Sequence, residues 1–217
     1  MAEFLDFKLH SPFTMEVVGG TGSGKTHLVA QIIKNRRTII NKYMDKVIYV
    51  YCDHQPIFEE LELEDPENIT FTNNIKDIDN LTTPNSLCKI DDQMDLIKKG
   101  GNLELVERFF LKHAHHKDVS IILILQNAFR PGLRDININT QYLIYFDAPR
   151  DRSSFMNVAK QILPGQTQAL VSAYNKACKC SEYAYLFLTL HPKDKRVKYW
   201  MRNDVFPSDT CEVYASV

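Results

Sequence analysis

The sequence of 217 residues predicts an α/β fold with a mainly parallel central sheet. An apolar strand over residues 13–18 runs directly into a glycine-rich loop, and a helix over residues 25–35 follows. The segment VSIILILQN, residues 119–127, is an almost unbroken apolar run, as in a parallel strand buried on both faces. Strand-like and helix-like segments alternate along the chain. At this length we expect one domain over residues 1–217.

Periodicity and turn residues predict the other elements. Runs rich in β-branched and aromatic residues predict strands at 46–52, 69–72, 86–92 and 141–147. Helices are expected at 56–62, at 103–113 and on both sides of the Pro164–Gly165 pair. The segments 183–190 and 196–202 are joined by the polar turn HPKDK, and together they predict a C-terminal β-hairpin.

Composition excludes several classes of protein. The net charge of −1 argues against a chain coated with basic residues for passive nucleic-acid binding. Five cysteines without a framework spacing favour a reducing compartment. The N-terminus lacks the pattern of a signal peptide, and the longest aliphatic run, residues 121–125, is too short to span a bilayer. We expect a protein that is neither secreted nor embedded in a membrane.

The glycine-rich loop fits the Walker A pattern, Gly-x-x-x-x-Gly-Lys-Thr, over residues 19–26. Its glycines let backbone N–H groups turn toward a β-phosphate, and the following helix adds the positive end of its dipole. Lys25 is expected to reach the β- and γ-phosphates, and the Thr26 hydroxyl to ligate Mg²⁺. The sequence therefore predicts binding of ATP and Mg²⁺. The predicted nucleotide-binding residues are Gly19, Gly20, Thr21, Gly22, Ser23, Gly24, Lys25, Thr26 and His27.

A second acidic site is expected at the end of the strand LCKIDD. Asp91 would hold the metal's water shell, and Asp92 would orient the attacking water. The distance from Thr26 to Asp91 leaves room for an extra strand between the Walker A strand and this one, as in P-loop helicases and motors. Lys89 interrupts the apolar pattern, and a buried lysine is unfavourable unless it is paired. The alternative source of the acid is the segment NIKDIDN, residues 74–80, which lacks a clear strand before it.

Three further residues are candidates for catalysis. Gln126 and its neighbour Asn127 end the apolar strand, where an amide could bond the attacking water or the γ-phosphate. Arg134 and Arg150 are candidates for an arginine supplied to a neighbouring subunit's phosphates, although each taken alone is more typical of a surface salt bridge.

Five stretches occur in the order typical of one family: SPFTMEVVGGTGSGKT, IYVYCDHQPIFEEL, KIDDQM, HHKDVSIILILQNAFRPGLRDININTQYLIYFDAPRD and YAYLFLTLHP. With them the chain resembles the viral genome-packaging ATPases of the FtsK–HerA superfamily, especially the short forms of Polinton-like, adintovirus-like and adomavirus-like elements. The resemblance covers most of the chain. It departs from the pattern at Lys89 and Gln93 around the two acids, and at Ala184 and Thr189 near the last strand.

The resemblance implies a RecA-like P-loop NTPase core of the ASCE type, the branch with the additional strand. It also implies ATP hydrolysis at the interfaces of a homo-oligomeric ring, a pentamer or a hexamer, with Asp91 and Asp92 as Walker B and Gln126 as the sensor. The expected partners are double-stranded DNA and a viral capsid vertex or portal protein. The expected location is the host nucleus or cytoplasm, with the virion as a further one. Which arginine acts in trans stays open.

Other patterns have plainer interpretations. The histidines at 113, 115 and 116 and the pair Cys178–Cys180 lack the ligand set of a zinc site. The basic segment 191–202 could contact DNA phosphates or the portal, or it could be a solvated edge strand.

The leading hypothesis is an ATP-driven motor that moves double-stranded DNA into a capsid. The alternatives are a cellular-type translocase or helicase and a nucleotide-gated capsid-assembly factor with little hydrolysis. A nucleoside kinase is disfavoured, because no lid segment with clustered arginines is visible.

Overall fold

The computed structural model describes residues 7–91, 102–128, 132–190, 201–207 and 211–214. Their strands form one nine-stranded sheet in the order β3-β2-β4-β5-β1-β6-β7-β8-β9. The strands are β1 (Thr14–Val18), β2 (Val47–Val50), β3 (Ile69–Thr72), β4 (Leu87–Ile90), β5 (Ser120–Leu125), β6 (Tyr142–Phe146), β7 (Tyr185–Thr189), β8 (Met201–Arg202) and β9 (Val213–Tyr214). The first six strands pair in parallel, and the last three extend the sheet in antiparallel fashion.

Helices connect the parallel strands. The described α-helices are α1 (Lys25–Lys34), α2 (Arg36–Ile39), α3 (Ile57–Glu64), α4 (Ile78–Leu81), α5 (Asn102–Arg108), α6 (Ala114–His116), α7 (Arg134–Ile138), α8 (Arg152–Ile162) and α9 (Thr167–Ala177). A 3₁₀ turn, Ile75–Asp77, precedes α4, and a π-helical turn, Phe109–His113, joins α5 to α6. None of the described helices is long and apolar enough to cross a membrane.

The sheet separates two apolar cores. One core packs α1, α2 and α3 against residues such as Met15 and Val17 of β1. The other packs α8, α9 and the segment around Phe110 against the opposite face, where Val18 of β1 and Ile90 of β4 lie. Because successive strand residues point to opposite faces, every central strand contributes to both cores. This arrangement explains the nearly continuous apolar runs of the parallel strands.

The predicted α/β class and its mainly parallel sheet are confirmed. β5 lies between β1 and β4 in the sheet, so a strand does separate the Walker A strand from the acidic one. The helices on both sides of Pro164–Gly165 are confirmed as α8 and α9. β7 and β8 pair antiparallel as expected, although the turn 191–195 and the first part of the second strand lie outside the described residues. The two-residue strand β9 is an addition that the sequence did not indicate.

Candidate nucleotide-binding site

The glycine-rich loop lies at the carboxyl end of β1, between β5 and β6. The Gly19 N–H donates to the Leu125 carbonyl at 3.1 Å, which fixes the start of the loop against the end of β5. A methyl group on Gly19 would lie 2.7 Å from both the Phe146 Cβ and the Ser23 Oγ. This contact is closer than packed atoms tolerate, so glycine is required there.

The loop turns into α1 through a left-handed residue. Gly24 has φ of 95° and forms the N-cap of α1, a conformation that residues with a Cβ rarely adopt. Lys25 is buried, and its Nζ donates to the carbonyl oxygens of Gly19 at 2.6 Å and Gly20 at 2.7 Å. The ammonium therefore points back into the loop, where it and the first N–H groups of α1 can meet an anion together.

A cavity of about 690 Å³ opens beside this loop. Its lining includes Gly22, Ser23, Gly24, Lys25, Thr26 and His27, six of the nine residues predicted to bind nucleotide. The volume falls within the range of about 300–1,000 Å³ that is usual for small-molecule sites. The buried Ser23 hydroxyl has no hydrogen-bond partner among the described residues, so the loop also offers an unused polar group.

Aromatic side chains form the opposite wall of this cavity. Phe146 ends β6, Tyr185 begins β7, and their ring centroids lie 5.2 Å apart. Tyr183 precedes β7 and is 57% exposed, with its ring 3.1 Å from where a Cβ on Gly24 would lie. Phe146 and Tyr185 are buried, so Tyr183 is the ring of this wall that is exposed enough for a nucleobase to stack on. Our sequence reasoning missed this wall, although the alternation in YAYLF does place Tyr183 and Tyr185 on one face of a strand.

The strand β4 delivers Asp91 to the same edge of the sheet. The Asp91 N–H donates to the Val50 carbonyl at 3.0 Å, which holds the residue just beyond the end of the strand. Two residues earlier, Lys89 has no exposed surface, and its Nζ donates to Asp91 Oδ2 at 2.7 Å. The same ammonium lies 3.8 Å from the centroid of the Tyr49 ring. Burial lowers the pKa of Lys89 to about 8, and the Asp91 carboxylate opposes part of that shift.

The other expected Walker B positions have separate outcomes. Asp92 lies outside the described residues. The alternative segment 74–80 does follow a strand, β3, but that strand is at the edge of the sheet, three strands away from β5 and four from β1. Its acids are engaged locally, because Asp77 accepts from Thr72, and Asp79 pairs with Arg108 and Lys117. The geometry thus favours Asp91 over this segment.

Gln126 directly follows β5, between the loop and the acidic strand. Leu125 pairs with Val18, so Gln126 lies level with Gly19 at the loop's start. Its side chain is exposed at the carboxyl edge of the sheet. In open parallel sheets this edge is where ligands bind, particularly where a strand order reverses. The position matches that expected for an amide that contacts a γ-phosphate or attacking water.

The fold was compared with known proteins. Neither protein-family profiles nor curated protein sequences gave a match. Solved structures with a similar fold include the genome packaging NTPase B204 from Sulfolobus turreted icosahedral virus 2 in complex with AMPPCP. The sequence identity is 13%, the match covers 95% of this chain and 98% of that one, and the TM-score is 0.53. The B204 DNA-packaging ATPase from Sulfolobus turreted icosahedral virus matches at 12% identity, with 96% and 100% coverage and a TM-score of 0.52.

A further similar structure is the KaiC-like protein PH0186 from Pyrococcus horikoshii OT3. It is 14% identical, the match covers 94% of this chain and 90% of that one, and the TM-score is 0.51. The fold is that of the RecA-like P-loop ATPases. At these identities the likeness concerns the RecA-like fold alone.

Two residues at this edge of the sheet fit a magnesium ion. Thr26 is the second residue of α1 and offers a hydroxyl, and Asp91 offers a carboxylate with 14% exposure. Hard oxygen donors of this kind suit Mg²⁺, which keeps several waters and uses few protein ligands. Among the described residues, no group of three or more His, Cys, Asp or Glu side chains is placed to hold a metal. Thr26 and Asp91 would hold the ion together with the phosphates, and its charge would offset the charge on the phosphate oxygens.

The structure separates the two candidate arginines. Arg150 is exposed in the turn that follows β6, at the same edge of the sheet as the loop. Arg134 is exposed at the start of α7 and instead lines a second cavity of about 810 Å³ with Glu16 and Asn137. Their roles across a subunit interface stay predictions.

The second cavity contains a buried acid that our sequence reasoning did not single out. Glu16 lies in the middle of β1, is 2% exposed, and accepts a hydrogen bond from Thr140 Oγ1 at 2.7 Å. Burial raises its pKa to about 7, although the Thr140 hydrogen bond opposes the shift. Glu16 is the only charged residue in the segment TMEVV, and this interruption of the apolar pattern could have indicated a buried acid.

The structure describes some of the remaining sequence features. Arg202, part of the predicted basic hairpin, is buried between the rings of Phe7 and Phe187, at 4.8 and 4.5 Å. It is therefore not a surface contact for DNA phosphates, contrary to that interpretation. Residues 191–200 and the side chains of His113 and His115 lie outside the described part. Cys178 and Cys180 are both free thiols.

Proposed function

We propose that this chain is the subunit of an ATP-driven motor that moves double-stranded DNA into a viral capsid. The observation that carries the proposal is the complete Walker A loop, with the buried Lys25 ammonium turned into it at the end of β1. The inserted strand β5 and its terminal Gln126 add the arrangement expected of an ATPase that performs mechanical work.

Each residue has a defined part in the proposed reaction. Lys25 and the first N–H groups of α1 would bind the β- and γ-phosphates and stabilise charge as the γ-phosphoryl group transfers. Thr26 and Asp91 would hold Mg²⁺ and its water shell. Gln126 would orient the attacking water, with Asp92 as the base. Arg150 is our first choice for the residue supplied to a neighbouring subunit, because it is exposed at the same edge of the sheet as the loop.

Support for packaging, as opposed to ATP hydrolysis in general, comes from two directions. The fold likeness to a viral packaging NTPase spans nearly the whole length of both chains. The sequence stretches shared with the FtsK–HerA packaging ATPases run in that family's order. We therefore propose a pentameric or hexameric ring on a capsid vertex or portal protein, acting inside the host cell.

The first test is steady-state ATP hydrolysis by the purified chain in Mg²⁺ and low salt, with and without long linear duplex DNA. We expect duplex DNA to stimulate hydrolysis and Lys25→Ala to reduce turnover by about a hundredfold or more. Lys34→Ala is the matched control, because it removes a lysine from the last turn of the same helix, where Lys34 pairs with Glu60 and Glu64.

The possible results separate the candidate functions. Stimulation by single strands together with strand separation would favour a helicase over a packaging motor. If no form of DNA changed the rate of ATP hydrolysis, either for the chain alone or with empty capsids added, the motor hypothesis would be contradicted.

A second candidate, a nucleotide-gated capsid-assembly factor, is favoured by one observation. Asp91 is engaged by Lys89 at 2.7 Å, which is unusual for a carboxylate expected to serve a metal. This candidate predicts Mg²⁺-dependent ATP binding with scarcely any hydrolysis, even when empty capsids are supplied. Measurement of turnover with capsids present therefore distinguishes the two.

A further inference from the structure

Lys89 places a positive charge inside the strand that carries the metal-site acid. Its side chain has no exposed surface, and it lies between Cys88 and Ile90, which belong to the opposite core. Residues two apart in a strand point to the same face, so Lys89 and Asp91 share one side of β4. The interior lysine thus points toward the end of the strand where the nucleotide site lies.

Two contacts fix this ammonium. Its hydrogen bond to Asp91 Oδ2 is 2.7 Å long, and the Tyr49 ring centroid lies 3.8 Å away on the neighbouring strand β2. Tyr49 pairs with Lys89 in the parallel register, and its ring packs in turn against Phe58 of α3 at 4.7 Å. A packed aromatic surface on one side leaves the ammonium little freedom to leave the carboxylate.

This arrangement affects any cation that Asp91 serves. One carboxylate oxygen already accepts from an ammonium, so the orientation of the carboxylate is set before an ion arrives. A divalent ion that approaches Asp91 also meets a nearby positive charge. In a water-like and salt-screened environment, such repulsion amounts to a few-fold to tenfold change in affinity.

We propose that Lys89 is a positioning residue that holds the Asp91 carboxylate and raises the Mg²⁺ concentration that the nucleotide site requires. The inference rests on the proposed function only in that Asp91 serves Mg²⁺ at an ATP site. It does not depend on DNA or on capsids. Its consequence is that nucleotide would be held firmly only where Mg²⁺ is plentiful.

The test measures binding, not turnover. A fluorescent ATP analogue at fixed concentration is titrated with Mg²⁺, and the midpoint of the Mg²⁺-dependent signal is read for each variant. For Lys89→Met, which keeps an unbranched apolar stem without the charge, we expect the midpoint to fall by about three- to tenfold. Lys89→Gln should lower it similarly, because its amide can still donate to Asp91 but carries no charge.

Two control experiments distinguish the loss of the Lys89 charge from a general disturbance of β4. Ile90→Val changes a neighbouring buried residue on the opposite face of β4 and should leave the midpoint unchanged. In an Asp91→Asn background the further change Lys89→Met should have a smaller effect, because the carboxylate that Lys89 holds is gone and only the repulsion between the ammonium and the ion is left to relieve. Lys89→Gln also provides a second reading if Lys89→Met fails to fold.

The alternative outcomes are distinct. Equal midpoints in the wild-type chain, Lys89→Met and Lys89→Gln would show that the ion pair serves only packing. That result would overturn this inference but not the proposed nucleotide site. A raised midpoint would overturn the inference as well. If the wild-type chain bound the analogue without any dependence on Mg²⁺, the inference and the proposed metal site would be wrong, while the nucleotide site would stand. If the chain did not bind the analogue at all, the proposed nucleotide site would be wrong as well.

Discussion

Two buried charged residues, Lys89 in β4 and Glu16 in β1, lie on opposite faces of the same sheet and are accommodated differently. Lys89 is paired with a carboxylate and covered by an aromatic ring. Glu16 accepts a hydrogen bond from the neutral Thr140 hydroxyl and borders a cavity. Burial disfavours the charged form of each, lowering the pKa of Lys89 and raising that of Glu16, both into the range of about 7 to 8.

The contrast shows two ways in which a strand interior can hold an ionisable side chain. At Lys89 an opposite charge offsets the desolvation, so the charged form persists near neutral pH. At Glu16 the contact is a neutral hydroxyl, so the carboxyl group stays protonated up to a higher pH than usual. The partner therefore decides whether burial preserves a charge or removes it. The following substitutions test this difference, beginning with the largest expected effect.

Removal of the partner of Lys89 should destabilise the chain most. Asp91→Ala leaves an ammonium buried without its counter-ion, and we expect the free energy of unfolding to fall by about 3 kcal/mol. The double variant Lys89→Met/Asp91→Ala should recover most of the loss, because no charge then stays buried. Urea denaturation of the two single variants and the double variant measures the coupling.

Additive losses in the double variant would show that the two residues do not depend on each other. A suitable comparison is Asp118→Ala, which removes the carboxylate that accepts from Lys42 at the protein surface. There we expect a loss below about 1 kcal/mol, because both side chains stay in contact with water.

Removal of the charge at Glu16 should have an effect of opposite sign. Its pKa of about 7 exceeds the ordinary value of 4.5, so between these pH values the folded state keeps a proton that the unfolded state has lost. The free energy of unfolding therefore falls as pH rises through this window, by about 3 kcal/mol in all. We expect Glu16→Gln to be about 3 kcal/mol more stable than the wild type at pH 8 and about equally stable at pH 4.

Thermal or urea unfolding at several pH values measures this difference. The control is Glu67→Gln, an exposed change of the same kind, which should leave the pH dependence as it is in the wild type. A Glu16→Gln curve parallel to that of the wild type from pH 4 to pH 8 would contradict a buried, neutral carboxyl group.

The smallest expected effect concerns the ring above Lys89. The Tyr49 hydroxyl is buried without a hydrogen-bond partner among the described residues. Tyr49→Phe deletes this unsatisfied group and keeps the aromatic face, so we expect a gain of about 1 kcal/mol in stability. Tyr49→Leu removes the face as well and should instead destabilise, by about 2 kcal/mol or more. The same urea assay distinguishes them, and a loss in Tyr49→Phe would reveal a role for the hydroxyl.

The sequence allowed prediction of those features that depend on local chemistry. The phosphate loop follows from eight consecutive residues, and the parallel strands follow from their unbroken apolar runs. Gln126 could be placed at the sheet edge because it directly ends such a run. For Lys89 the sequence indicated only that the lysine would need a partner if it were buried, and it did not identify that partner. The structure supplies that partner two residues away.

Other features depend on which strands become neighbours, and a single sequence does not reveal that. The aromatic wall joins Phe146 of β6 to Tyr185 of β7 across an antiparallel pair. The cavity beside Glu16 brings together β1, α7 and the second half of α8, from three distant parts of the chain. The burial of Arg202 between two rings has the same origin, because Phe7 and Phe187 are far from it in sequence.

The contact between Gly24 and Tyr183 links the loop to the antiparallel end of the sheet. A displacement of the loop by a few tenths of an ångström toward this ring would press on it, because there is room for little more than a hydrogen atom on Gly24. The next residue, Ala184, accepts from the Asp147 N–H at 3.0 Å, at the tip of β6. The start of α1 and the start of β7 are therefore in contact. If the loop shifted around a bound phosphate, we expect the start of β7 to be displaced with it.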